Sequence, residues 1–217
     1  MRWAEAQHDR EPLQGRGVAW AATLSANAIA GSDTAVVVRH SRHGGLLAPV
    51  RGDLFLRPTR APRELATSVR LTAGGVATPE VIAYAVHPIG GLFARSDVMT
   101  RRLPAGRDFP EAWRTDASSA ARGAMLEAVA VLLRALSALD AHHPDLNVKN
   151  IYVAGTGITV TAYVLDVDRV RFTGDGQAAA RNFARLARSV RKWDLKQGLG
   201  FGDESLVRLA ALAWVEQ

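Results

Sequence analysis

The chain has 217 residues, of which 48% are hydrophobic and none is cysteine. It is therefore long enough to bury a sizeable core as one domain or one two-lobed unit, and disulfide bonds and thiolate metal sites are excluded. The net charge of +6 comes from arginine far more than from lysine, which indicates an anionic partner. Because the planar guanidinium makes bidentate contacts with phosphate and carboxylate, a specific anionic ligand is favoured, with a merely basic surface as the alternative.

Residues 1–14 are polar and predict an irregular lead-in rather than a signal peptide. The most apolar helical stretch, from Met125 to Leu139, contains Glu127 and Arg134 and is shorter than the ~20 residues needed to cross a bilayer. Aromatic residues make up 6% of the chain, and no stacking platform for nucleic acid is evident. We expect a soluble protein with no nucleic-acid ligand and no obligate protein partner.

The next segment predicts a hairpin that contains glycine. Gly15 and Gly17 precede an apolar stretch that ends at Leu24, and after a turn a second apolar strand runs from Thr34 to Arg39. Glycines let backbone N–H groups approach phosphate, so this hairpin is a candidate cover for a nucleotide. The pattern G-x-x-x-x-G-K-[ST] does not occur, and a P-loop site is not supported.

The strand Val36 to Arg39 resembles the V-A-I-K strand of protein kinases, with arginine in place of lysine. Downstream, Pro62 predicts the start of a helix that has Glu64 in its first turn. Glu64 is therefore either the ion-pair partner of Arg39 or a residue that favours the helix dipole. The basic glycine loop at 40–45 indicates anion contact or a chain turn, because no carboxylate lies at the spacing of a metal site.

A turn followed by a strand is predicted at 78–86 and a strand at 92–103, followed by a polar linker at 104–110. We place the boundary between two lobes at this linker, so that residues 1–103 form the N-terminal lobe and residues 104–217 the C-terminal lobe.

Apolar spacing in the second half predicts helices at 117–141, 177–192 and 201–215. The second of these is basic, and its arginines recur every three or four residues along one flank. That flank is either a solvated face or a surface for an anionic substrate or a membrane. The arginines are Arg181, Arg185, Arg188 and Arg191.

The stretch His143-Pro144-Asp145 is followed by Asn150 and then by two β-rich runs that a turn at 154–157 joins, ending at Asp166. A hairpin there would return Asp166 to Asn150. Phosphoryl transfer requires a carboxylate that accepts the hydroxyl proton and oxygen ligands for Mg²⁺. The ordered set is typical of a kinase centre, although each residue alone could be a turn cap or the end of a strand.

These motifs together resemble the lipopolysaccharide kinase family, most closely the kinases that phosphorylate 3-deoxy-D-manno-octulosonic acid (Kdo) on lipid A precursors. The resemblance covers roughly residues 15–192. It is carried by the runs Gly15-Arg16-Gly17, Val38-Arg39-His40, Arg42-x-Gly44-Gly45, Arg63-Glu64-Leu65, Asp97-Val98-Met99-Thr100, His143-x-Asp145-Leu146-Asn147-x-x-Asn150-Ile151, Leu165-Asp166-x-Asp168-Arg169 and Asn182-x-x-Arg185-Leu186-x-Arg188-Ser189.

The resemblance implies an α+β, protein-kinase-like two-lobed fold, in which an N-terminal antiparallel sheet with one helix precedes a small, mainly helical C-terminal lobe. It implies ATP- and Mg²⁺-dependent phosphorylation of an anionic glycolipid or sugar, in the cytoplasm or peripherally at the cytoplasmic face of the inner membrane. The implied roles are catalysis by Asp145, metal binding by Asn150 and Asp166, nucleotide binding by Gly15, Gly17, Arg39 and Glu64, and substrate binding by Arg42, Asn147, Arg185 and Arg188.

Two other functions stay open. Phosphotransferases of the aminoglycoside or choline type share the pattern H-x-D-x-x-x-x-N, but the basic balance of this chain argues against a cationic substrate. A catalytically inactive kinase-like protein would bind nucleotide without turnover, and the presence of Asp145, Asn150 and Asp166 argues against it.

Overall fold

The computed structural model describes residues 1–13, 19–25, 32–41 and 52–214, and statements about its contacts refer to these residues. The chain divides into two compact units. The first comprises Met1–Val69 and Pro79–Arg102, and the second comprises Arg70–Thr78 and Leu103–Gln217. Residues 70–78 therefore group with the second unit although they precede the last strands of the first.

Within its described residues, the first unit contains an antiparallel sheet of six strands in the order β1-β2-β3-β6-β4, with β5 also paired to β6. Each strand pair in this sheet is antiparallel. The strands described are β1 Glu11–Leu13, β2 Ala19–Leu24, β3 Thr34–His40, β4 Phe55–Leu56, β5 Val81–Ile89 and β6 Phe93–Arg101. The helices described are α1 Arg2–Glu5 and α2 Ala61–Ala73, and the last residues of α2 belong to the second unit.

Pairing of β3 with β6 determines which way Arg39 faces. Arg39 lies directly opposite Val98, and directly opposed residues in a sheet have their side chains on the same face. Val98 is fully buried and packs with Ala61 at the start of α2. The side chain of Arg39 is therefore on the face of the sheet that α2 covers.

Two segments are more ordered than the sequence predicted. The polar lead-in was expected to be irregular, but Ala4 in α1 is fully buried and β1 pairs with β2. Residues 106–108, inside the predicted linker, form a strand paired with residues 152–154. Both expectations were wrong because sheet pairing satisfies backbone N–H and C=O groups of short polar segments that show no apolar alternation.

The second unit is mainly helical, with a three-stranded sheet in the order β10-β9-β7 and a pair β8-β11. Its elements are β7 Gly106–Asp108, α3 Phe109–Thr115, α4 Ser119–Ala138, β8 Ala141–His142, the 3₁₀ turn Val148–Asn150, β9 Ile151–Thr156, β10 Thr159–Val164, the 3₁₀ turn Val167–Arg169, β11 Arg171–Phe172, α5 Ala178–Gln197 and α6 Gly202–Trp214.

Helix α4 is the central core element of the second unit. Ser118 caps it by accepting a hydrogen bond from the N–H of Ala121 at 3.2 Å, which satisfies a donor that the first turn leaves unpaired. The predicted helix at 117–141 is thus confirmed but is shorter at its end, because residues 141–142 turn into β8 and lead to the segment around Asp145. Among the described residues, no helix combines the length and the apolar character needed to span a membrane.

Candidate active site

The predicted hairpin forms between β9 and β10, with Ile151 opposite Val164. The N–H of Leu165 donates to the carbonyl of Asn150 at 2.8 Å, so the chain that leads into Asp166 runs beside Asn150. Gly155 permits this turn, because its φ is +101° and a Cβ there would lie 2.2 Å from the carbonyl oxygen of Thr159.

His143 is fully buried and links the loop that contains Asp145 to the end of β10. Its Nδ1 accepts the N–H of Asp145 at 3.2 Å. The proton is therefore on Nε2, which donates to the carbonyl of Leu165 at 3.0 Å. Burial disfavours the imidazolium and lowers the pKa of His143 below its ordinary value of 6.5. The ring is a neutral, fixed spacer between the two acidic segments.

Asn150 and Asn147 both hold the backbone at Asp145. Each donates from Nδ2 to the carbonyl of Asp145, at 2.9 Å and 3.0 Å respectively. Asn147 also accepts the N–H of Lys149 at 2.9 Å, so both ends of its amide are used inside the loop. In the described part of the chain no donor contacts Oδ1 of Asn150, which leaves this oxygen available to a cation.

Asp166 is exposed and adopts the left-handed conformation, with φ 58° and ψ 46°. Aspartate is one of the few residues with a Cβ that adopt this conformation. The next residue, Val167, is buried in the core of the second unit and continues into a 3₁₀ turn. A single left-handed residue therefore joins the end of the hairpin to this turn, with the Asp166 carboxylate exposed.

Two buried residues of α5 hold the same loop, and no role was predicted for them. Asn182, 1% exposed, accepts the N–H of His143 at 2.9 Å and donates to the carbonyl of Ala141 at 2.8 Å. The hydroxyl of Ser189 accepts the N–H of Val148 at 3.2 Å. In the sequence, Asn182 and Ser189 are the first and last residues of the motif Asn182-x-x-Arg185-Leu186-x-Arg188-Ser189. Their helical spacing was the signal available, but it does not identify the backbone groups to which they are hydrogen-bonded.

The guanidinium of Arg185 contacts the candidate base directly. Its Nη2 lies 2.6 Å from Oδ1 of Asp145. Arg188 lies one turn further along α5 and is exposed. Both side chains line a cleft in the second unit. Their predicted role in substrate binding, and that of Asn147, stays a prediction.

Asp140 determines where α5 begins. Its carboxylate accepts the N–H groups of Gly176 and Ala178 at 3.0 Å and 3.1 Å. Desolvation would raise the pKa of Asp140, but these donors and the hydroxyl of Thr173 outweigh it and hold the pKa below 3.8. The start of α5 is thereby tied to the residue that precedes β8.

In the first unit, the predicted partners Arg39 and Glu64 are in contact through Nη2 and Oε1. The side chain of Glu64 is 7% exposed and that of Arg39 is 35% exposed. The pair therefore forms, while its action on a nucleotide stays a prediction. Gly15, Gly17 and Arg42 lie outside the described residues.

A polar cluster that the sequence did not predict surrounds His40. Its Nδ1 lies 2.6 Å from Oδ1 of Asp97, and its Nε2 lies 2.9 Å from Oδ2 of Asp53. Burial would raise the pKa of Asp97, but the N-terminal ammonium, His40 and His87 outweigh this effect and lower it. Neither metal binding nor anion contact is needed to explain His40, because carboxylates distant in sequence surround it.

Within residues 1–13, 19–25, 32–41 and 52–214, no group of three or more His, Cys, Asp or Glu side chains is suited to hold a metal ion. Asn150 and Asp166 fit a different kind of site. Mg²⁺ prefers oxygen ligands and is commonly bound by one or two carboxylates together with substrate phosphates and water. An amide oxygen and an exposed carboxylate on adjacent segments meet that requirement.

Comparison with solved structures identifies a similar fold in a protein described as "WaaP in complex with acyl carrier protein". The likeness has a TM-score of 0.59 at 17% identity and covers 100% of this chain and 82% of that one. Together with the antiparallel sheets and helices described above, it confirms the predicted α+β, protein-kinase-like two-lobed fold.

Sequence comparison finds 3-deoxy-D-manno-octulosonic acid kinases. The kinase of Actinobacillus succinogenes is 29% identical over 192 residues, which cover 87% of this chain and 77% of the relative. That of Vibrio parahaemolyticus is 26% identical over 199 residues, which cover 90% and 78%. The model of the lipopolysaccharide kinase (Kdo/WaaP) family matches residues 2–204. The chain therefore belongs to the lipopolysaccharide kinase (Kdo/WaaP) family, and it is a kinase.

Proposed function

We propose that this kinase transfers the γ-phosphoryl group of ATP to a hydroxyl group of Kdo on a lipid A precursor, at the cytoplasmic face of the inner membrane. The acceptor is suggested by the relatives named as Kdo kinases. The observation that carries the proposal is the hydrogen bond from the N–H of Leu165 to the carbonyl of Asn150, which brings the segment of Asp166 beside the loop of Asp145.

Asp145 is the proposed base. Its carboxylate accepts the proton of the acceptor hydroxyl as that oxygen bonds to the γ-phosphorus, while the bond to the bridging oxygen breaks and ADP leaves. The backbone of Asp145 is held at its carbonyl by Asn147 and Asn150 and at its N–H by His143. A base fixed in this way aligns the acceptor with little further ordering during the reaction.

The oxygen of Asn150 and the carboxylate of Asp166 are the proposed ligands of Mg²⁺, which when bound would neutralise charge on the nucleotide phosphates. The role proposed for Arg39 is to contact the phosphates, with Glu64 holding its guanidinium. Gly15 and Gly17 are proposed to let the backbone approach the nucleotide.

The proposal is tested by transfer of labelled γ-phosphate from ATP with Mg²⁺ to a Kdo-bearing lipid A precursor. Wild type is expected to label the glycolipid, Asp145→Ala to lose most of the labelling, and Asp116→Ala to retain it. Asp116 is a suitable control because it is an exposed carboxylate of the same unit that has no place in the site. ATP binding without transfer to this acceptor would overturn the proposal in favour of another acceptor or of a kinase that lacks turnover.

A further inference from the structure

A cleft of about 700 Å³ lies beside α5 in the second unit. Residues three and four apart on a helix are neighbours, so the arginines of α5 lie along one flank of the helix, where they line the cleft. The opposite wall is the segment that immediately precedes Asp145. The residues that define the cleft are Arg181, Arg185, Arg188, Arg191, His142 and Pro144.

Arg188 differs from the other three arginines of the cleft, because within the described residues it has no acidic partner. Like charges at this helical spacing destabilise a helix unless another interaction compensates for them. A guanidinium placed between two others without a counter-charge suits an anion from outside the chain. The other three are paired as Arg181 with Asp175 at 2.7 Å, Arg185 with Asp145 at 2.6 Å and Arg191 with Asp203 at 3.3 Å.

His142, in the opposite wall, lies in the electrostatic field of nearby arginines. Burial and then the charge of Arg181 lower the pKa of His142 below 6.5, and the charge of Arg171 acts in the same direction. His142 therefore stays neutral where a protonated ring would add to the repulsion. Three of the four arginines are offset by carboxylates, so Arg188 supplies the positive charge of the cleft that remains.

Part of the lining of the cleft is apolar. Phe183, Ala184 and Ala187 contribute to it, and Ala187 is buried. A cavity that combines apolar lining residues with several guanidinium groups suits a compact ligand that has both a carbon framework and an acidic group.

We propose that this cleft binds an acidic group of the phosphoryl acceptor, a carboxylate or a phosphate monoester, with Arg188 as its main ligand and Arg181 and Arg191 beside it. This inference rests on the proposed function, since it concerns the acceptor of the same reaction. Arg185 connects the cleft to the chemistry, because it lines the cleft and contacts Asp145. An acceptor anchored at Arg188 would lie next to Arg185, the residue that contacts the candidate base.

The test compares Arg188→Gln with Lys192→Gln, using Mg²⁺-ATP and a Kdo-bearing lipid A precursor in detergent micelles. Lys192 is an exposed cation of the same helix that does not line the cleft. Removing one charge-assisted contact is expected to raise the KM for the glycolipid about 10-fold to 100-fold in Arg188→Gln. The kcat and the KM for ATP should change less than about twofold, and Lys192→Gln should resemble wild type.

The midpoint of thermal unfolding is expected to stay within about 2 °C of wild type in Arg188→Gln, because the side chain is exposed. Arg188→Lys keeps the positive charge but not the planar guanidinium, so it should recover part of the lost affinity for the glycolipid. An unchanged KM in Arg188→Gln, or an equal rise in Lys192→Gln, would overturn the inference.

Equilibrium binding of the same micelles without ATP separates this inference from the proposed function. If Arg188→Gln does not affect phosphoryl transfer, the cleft does not bind the acceptor, but the proposed reaction stands. If the glycolipid binds in a way that depends on Arg188 but is not phosphorylated, the cleft binds the glycolipid and the proposed reaction is wrong. A dephosphorylated precursor identifies the acidic group. If the penalty of Arg188→Gln disappears with that acceptor, the group is a phosphate, and if the penalty persists, the group is the carboxylate of the sugar acid.

Discussion

The loop of Asp145 in the second unit and the Arg39–Glu64 pair in the first unit are held in different ways. The loop is fixed at successive backbone groups by side chains that are themselves buried, such as His143, Asn182 and Ser189. Arg39 instead reaches Glu64 with a long side chain that is one-third exposed. A buried network fixes one geometry and is costly to break, whereas a partly exposed ion pair can rearrange at small cost.

The largest effect on stability is expected at Asn182. The change Asn182→Ala leaves the N–H of His143 and the carbonyl of Ala141 buried without partners, at about 1–3 kcal/mol for each group. The free energy of unfolding should therefore fall by about 2–6 kcal/mol in urea titrations, and turnover should fall with it. A loss below about 0.5 kcal/mol, as is usual for surface substitutions, would mean that the network is not a rigid support.

Arg185→Gln breaks the contact that orients the Asp145 carboxylate but leaves the backbone network in place. The kcat is expected to fall about 10-fold to 100-fold, because a misplaced base aligns the acceptor poorly. Steady-state kinetics at saturating acceptor measures this loss. A change confined to the KM for the acceptor would assign Arg185 to substrate binding alone.

The buried His143 makes stability depend on pH. Its pKa is lowered in the folded state, so the unfolded chain binds the extra proton first. Its contribution is complete above the ordinary value of 6.5 and is lost as the pH falls below that value, by at most about 1.4 kcal/mol per pH unit. Urea unfolding between about pH 7.5 and 5.5 should record this fall.

The variant His143→Gln should show a shallower dependence on pH, although His142, whose pKa is also lowered, keeps part of it. An equally steep dependence in the variant would mean that other groups cause it. His8→Gln is a useful control, because that histidine is exposed and lies in the first unit.

The smallest effect is expected for Arg39→Lys, which keeps the charge near Glu64. The free energy of unfolding should change by less than about 1 kcal/mol, as is usual for partly exposed pairs. The KM for ATP is expected to rise by roughly tenfold or less, because a lysine cannot reproduce bidentate phosphate contacts. A loss of stability as large as that of Asn182→Ala would remove the contrast between the two units.

Local chain patterns predicted much of the fold, including the hairpin that brings the segment of Asp166 beside Asn150. The β-branched runs and the glycine turn at 151–165 predicted the hairpin. The turn and strand predicted at 78–86 and the strand predicted at 92–103 correspond to β5 and β6, with ends shifted by a few residues. The predicted contact of Arg39 with Glu64 formed because a strand and the next helix commonly pack together.

The supports of the site could not be predicted from such patterns. Asn182 and Ser189 act on backbone groups 39 and 41 residues earlier in the chain, and His40 meets Asp97 across 57 residues. Helical periodicity predicts which side of α5 is buried, but it does not identify the partner of a buried polar side chain. The family motif contains both Asn182 and Ser189, but it does not show which backbone groups they contact.

The most direct measurement is the affinity for ATP at increasing Mg²⁺ concentration, by calorimetry, for wild type, Asp145→Ala and Asp166→Ala. If Asp166 binds the metal and Asp145 is the base, wild type and Asp145→Ala should bind ATP with the same dependence on Mg²⁺, and Asp166→Ala should lose most of that dependence. Equal dependence on Mg²⁺ in Asp166→Ala and wild type would contradict the metal site at the end of the hairpin.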